Sequence, residues 1–163
     1  MIAKLLTSAA FVMLAGAASA DGLQKWGSSD YWDVMIDPSL GNGCLIQGEF
    51  RDGSLVRIGL DKVAGGGYVT VFNTAWGDIE EGATYPVSFD LDGDAYNGEA
   101  KGLYLNGVPG ADIAFDSVDF FMSIAKHQTM TMFNKDGGQV LTIDLTGTMA
   151  GLDAVLTCQD EQG

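Results

Sequence analysis

The chain has 163 residues, 22 of them acidic and 8 basic, for a formal net charge of −14. That balance argues against nucleic acid, whose phosphates are bound by Lys and Arg displacing condensed cations, and against a bare anionic membrane surface. Cationic proteins, cationic peptides and divalent metals stay electrostatically favoured.

Residues 1–20 read as a secretory signal peptide: Lys4 supplies the positive start, Leu5 to Ala17 is almost wholly apolar, and Ala18-Ser19-Ala20 is a small-residue cleavage site before Asp21. The apolar run is too short to span a bilayer, and no second one follows it. No cysteine stands at the cleavage point, so no lipid anchor is expected. The working protein is expected to be one domain over residues 21–163, in the periplasm or secreted, close to the commonest size for one compact core. Removing the leader takes away one basic residue and moves the charge to −15.

Beyond the leader, short apolar runs separated by Gly and Asp predict strands at Tyr31 to Ile36, Cys44 to Arg51, Leu55 to Leu60, Tyr68 to Asn73, Tyr85 to Leu91 and Ala100 to Leu105. Asp52-Gly53 is the strongest hairpin signal, since both residues tolerate the positive φ of a type I′ turn. After Pro109 the pattern changes. Val118, Phe121, Met122 and Ala125 recur at helical spacing behind Ser117, a good N-cap, so a helix is expected to Lys126. Thr129 to Phe133 and Gln139 to Leu145 read as a hairpin around Asn134 to Gly138. A last helix is expected over Thr148 to Cys158, with a frayed tail from Gln159 to Gly163.

Cys44 and Cys158 are the only cysteines. An even count in an exported chain reads as one disulfide, here tying the last helix to the strand that carries Cys44. The fold class is therefore mainly β, with α+β at the margin: an antiparallel sandwich or curved sheet with two short helices.

Asp90, Asp92 and Asp94 suggest a calcium loop, but the positions that an EF-hand needs for Gly and Glu hold Ala95 and Lys101. A hairpin turn is the better reading. His127, Met130 and Met132 mix ligands that suit copper, yet strand alternation sends both methionines to the face opposite His127. There is one histidine, no Gly-x-Ser-x-Gly elbow and no His-Glu-x-x-His helix, which disfavours serine and zinc hydrolysis. Asp78, Glu80, Glu81 and Glu99 are candidates for a glycosidase pair, though sequence does not place any two of them at the required distance. No metal or cofactor is expected. Trp76, Asp78, Glu80 and Glu81 share one loop between strands, an aromatic beside three acids, and form the candidate binding site, because Trp dominates interface hot spots. The bland alternative folds Trp76 back over the core, and Trp26, Tyr31 and Trp32 pose the same choice.

Trp32-x-Val34, Gly43-Cys44, Phe50-Arg-Asp-Gly53-Ser, Asn73-x-x-Trp76, Gly82-x-x-Tyr85 and Leu145-x-Gly147-x-x-Ala150 before Cys158 resemble small exported β-rich proteins of α-proteobacteria. The chain is also similar to the invasion-associated locus B family in size, export and β content with a disulfide, a likeness that carries no functional residue. The functional expectation is a non-enzymatic exported binding or envelope-interaction protein, an inhibitor or modulator of a basic protein or peptide. A small apolar-ligand carrier is the alternative, and a carboxylate-based hydrolase comes third.

Overall fold

The computed structural model describes residues 22–163; the signal peptide expected over residues 1–20 lies outside the described residues. In chain order the elements are β1 (Gln24–Ser29), β2 (Trp32–Asp37), β3 (Gly43–Glu49), β4 (Leu55–Leu60), β5 (Gly67–Phe72), β6 (Thr84–Leu91), β7 (Asp94–Leu105), β8 (Val108–Phe115), α1 (Val118–Lys126), β9 (Thr129–Asn134), β10 (Gln139–Asp144) and α2 (Thr148–Gln162). All ten strands join one antiparallel sheet in the order β1-β2-β3-β4-β5-β8-β7-β6-β9-β10. Of the two architectures expected, the curved sheet is the one found. It curls far enough for the Tyr31 hydroxyl, in the β1–β2 turn, to donate to the carbonyls of Asp144, the last residue of β10, and of Thr146 just after it.

Alternation sends Trp32, Val34, Ile46, Ile58, Val71, Ile113, Met132 and Ile143 to the concave side, where they are buried with Phe121 and Ile124 of α1 and Leu152 and Val155 of α2. Side chains therefore fill the space inside the curl. Gly48 and Gly151 make room for Trp32: a Cβ on Gly48 would lie 2.9 Å from its ring, and one on Gly151 3.4 Å. The convex side carries a smaller cluster of Leu23, Met35, Leu45 and Tyr68.

Both expected helices form. Ser117 caps α1 by accepting from the Asp119 amide at 3.1 Å. α2 runs four residues past its expected end. Fraying gives way to anchoring here, because Gln159 accepts from the Cys44 amide at 3.0 Å and the Trp26 indole donates to Glu161 at 2.7 Å. Cys44 and Cys158 are disulfide-bonded and fully buried, joining β3 to α2.

The Asp52-Gly53 hairpin forms without a type I′ turn. Only Gly53 has positive φ, and Asp52 instead accepts from the Ser54 amide and hydroxyl, widening the turn to residues 50–54. The two-residue turns with positive φ at both positions are Asp92-Gly93 and Asn106-Gly107. The second of these folds β8 onto β7, a strand absent from the expected set, as β1 also was.

Candidate functional site

Sheet order makes the loop singled out from sequence a crossover. β8 and β7 lie between β5 and β6, so residues 73–83 must pass both strands to begin β6. Asn73 starts the crossing, donating to Ser54 Oγ at 2.8 Å and accepting from the Ala75 amide at 2.8 Å. Tyr104 donates its hydroxyl to the Ile79 carbonyl at 2.6 Å, and Tyr85 accepts from the Glu80 amide at 2.8 Å. Reciprocal bonds of 2.8 Å between Gly82 N–H and Gly102 C=O, and between Gly102 N–H and Ala83 C=O, fasten the far end. Gly102 lies on the same side of β7 as buried Ala100. A Cβ there would sit 2.3 Å from the Glu80 carbonyl oxygen, so only glycine lets the loop approach this closely.

Trp76 is half-buried: one side packs against the concave core, and the other lines an open groove of about 410 Å³. Ile79, Tyr85, Val87, Met132 and Val140 complete its walls over the small side chains Ala100 and Ala111. Asp78 stands on the loop side of the groove, and Lys135 and Asp136 on the opposite turn. The four expected residues thus divide. Trp76 and Asp78 share the apolar groove, Glu81 lines a second groove on the other side of the loop, and Glu80 lines neither. Asp78, Glu80 and Glu81 are all exposed, and among the described residues their carboxylates make no hydrogen bond or ion pair.

The second groove, about 510 Å³, lies on the convex face. Its floor is a row of residues that face one another across neighbouring strands, Arg57 opposite Thr70, Thr70 opposite Asp112, and Asp112 opposite Lys101, and the row continues outside the groove to Gln47, opposite Arg57. Arg57 is buried, donates from Nε to Gln47 at 2.8 Å and stacks over the Phe72 ring with 5.5 Å to its centroid. Thr70 donates to Asp112. Burial raises the Asp112 carboxyl above its ordinary range, nearby Asp61 adds to the rise, and the Thr70 bond and Lys101 oppose it. Burial likewise raises the Tyr68 phenol. Sequence reasoning missed this row because Asp112 and Lys101 join Arg57 and Thr70 only through the β5–β8 and β7–β8 pairings.

Asp92 is committed to structure, accepting from the amides of Gln128 and Thr129 at 2.6 and 3.0 Å, while Asp90 accepts from Gly93. Met130 and Met132 are buried in the core. His127 instead faces the Ser123 carbonyl at 2.7 Å and Asp94 at 3.6 Å. Among the described residues no three His, Cys, Asp or Glu side chains converge to hold a metal, and no helix is long and apolar enough to cross a membrane. Asp78 and Glu81, on different grooves, do not converge as a hydrolytic pair.

The fold defines a class: a ten-stranded curved antiparallel sheet whose terminal helix is disulfide-tied to the third strand. No protein-family model matches the chain, and no curated protein matches it in sequence. In structure it is similar to the crystal structure of invasion associated protein b from Bartonella henselae, with a TM-score of 0.58 at 13% identity over 85% of this chain and 98% of that one. The likeness is a distant structural relation that shows a shared fold.

Proposed function

We propose that the protein is a non-catalytic, exported binding protein whose crossover loop and apolar groove receive a basic protein or peptide segment, modulating that partner by occupying it. The observation that supports this is the pairing of Trp76, half-buried in the wall of an apolar groove, with the exposed carboxylate of Asp78 in the same groove, followed along the loop by exposed Glu80 and Glu81; among the described residues none of the three acids makes a hydrogen bond or ion pair. An aromatic anchor with an acidic rim suits an apolar side chain flanked by Lys or Arg. The disulfide favours a working place in an oxidising compartment, periplasmic or extracellular, since such bonds persist there. The second reading, an apolar-ligand carrier, draws on the same groove, because the space inside the curl is filled.

The test is a fluorescence titration of the oxidised protein with two synthetic peptides that share a Leu-Phe core, one flanked by Lys and Arg, the other by Glu. The basic peptide should bind, weaken as salt shortens the Debye length from about 10 Å at 0.1 M to about 3 Å at 1 M, and lose binding in Trp76→Ala. Equal binding of the acidic peptide, or salt-independent binding, would refute the basic-partner reading. If Trp76→Ala leaves the affinity unchanged, the groove is not the site.

A further inference from the structure

The convex groove is separate from the Trp76 site and carries its own chemistry. It lies under the loops at 38–41, 61–66 and 81–82, and its volume of about 510 Å³ falls in the range of small-molecule sites. Both signs of charge line it. Asp37 and Asp61 are engaged with their own loops, Asp37 accepting from Ser39 and Asp61 from the amides of Val63 and Ala64. Lys101 and Glu81 are exposed at the mouth and, among the described residues, make no hydrogen bond or ion pair. Asp112 stands on the floor between the strands of Arg57 and Lys101, with Thr70 as its hydrogen-bond donor.

We propose that this groove binds a small zwitterion of the amino-acid type, with its ammonium on Asp112 and its carboxylate on Lys101. A bare anion would meet Asp37, Asp61, Glu81 and Asp112 together, and a bare cation would be flanked by Arg57 on one side and Lys101 on the other. A molecule carrying both charges meets complementary groups at each end. Asp112 and Lys101 face each other on adjacent strands, whose backbones lie about 4.8 Å apart, so both side chains leave the same face of the sheet next to each other and can reach the two ends of one small ligand. The half-desolvated carboxyl of Asp112, its charged form disfavoured by burial, would gain from an ammonium placed against it. Tyr68, Phe72, Leu40 and Leu103 supply apolar surface for the ligand's side chain.

The experiment follows backbone amide shifts of the isotopically labelled, oxidised protein during titration with L-leucine, L-glutamate and L-arginine, and then with N-acetyl-L-leucine and L-leucinamide. At least one free amino acid should shift the amides of Thr70, Lys101 and Asp112, and each capped form should bind about tenfold more weakly, the cost of one lost charge-assisted contact. Lys101→Gln, at an exposed position, should weaken binding about tenfold with an unchanged melting temperature. Asp112→Asn should also weaken binding about tenfold, and its spectrum without ligand reports whether the fold is intact. The proposal is overturned if no free amino acid shifts those amides up to about 10 mM. It is equally overturned if the capped forms bind as well as the free ones, or if Lys101→Gln binds like the parent protein.

Discussion

Reducing the disulfide should lower stability by an amount set mainly by the unfolded chain. Cys44 and Cys158 are separated by 114 residues, and for a closed loop of that size the chain-entropy relation yields about 5 kcal/mol at 25 °C. The folded state should change little. Both sulfurs are buried, α2 stays fastened by Gln159 to the Cys44 amide and by Glu161 to Trp26, and Leu152 and Val155 stay buried beneath it. Since domains of this size have total stabilities of about 5–15 kcal/mol, reduction removes a third or more, roughly a 15 °C drop in melting temperature. Urea unfolding with and without reductant, read by near-ultraviolet circular dichroism, checks this. The reduced protein should show the native spectrum without urea, a much lower midpoint, and a steeper slope from a more expanded unfolded chain. A stability loss under about 1 kcal/mol would refute the loop-closure reasoning. Loss of the native spectrum without urea would show instead that the bond holds the folded packing together.

Two substitutions probe the grooves. Gly102→Ala should lift the crossover from β7, breaking the two bonds to Gly82 and Ala83 at a cost of about 1–3 kcal/mol; faster amide exchange at residues 76–83 is the readout, and unchanged exchange would count against close contact there. Asp112→Asn should stabilise the protein at neutral pH. Folded Asp112 has a carboxyl pKa raised above its ordinary 3.8, so the folded state holds its proton more tightly than the unfolded one. Its contribution is most favourable below the unfolded value and is lost as pH rises through the folded value. The groups facing it are Thr70 and Tyr68 from β5, Arg57 from β4, Lys101 from β7, Asp61 from the β4–β5 loop, and Asp37 and Glu81 across the groove. Urea midpoints of variant and parent should therefore diverge in the variant's favour between pH 3 and pH 7, and convergence would contradict the sign.

Local pattern revealed most of the secondary structure. Leu55–Leu60 and Val118–Lys126 form where alternation and the Ser117 cap place them. β1 was hidden because Gln24–Ser29 lacks an alternating apolar face and gains order only by pairing with β2. β8 was hidden by Pro109-Gly110, read as a break. Pro109 lies one residue before the β5 ladder begins at Gly110, where a missing N–H is tolerated. The signal that reveals it is Asn106-Gly107 between Leu105 and Val108.

Local sequence was enough for the elements that depend on neighbours: the period of each strand, the capped helix, the turns at glycine, and the pairing of two cysteines that have no other partner. It also marked Trp76 and its acids as one loop. Long-range strand pairing makes this loop a crossover between two grooves and lines up Arg57, Thr70, Asp112 and Lys101 in a row. Those facts rest on β5 pairing with β8 rather than β6, a contact across about forty residues. Strand alternation specifies which face a side chain takes, but which strand lies beside it is settled by how the whole sheet closes over its core.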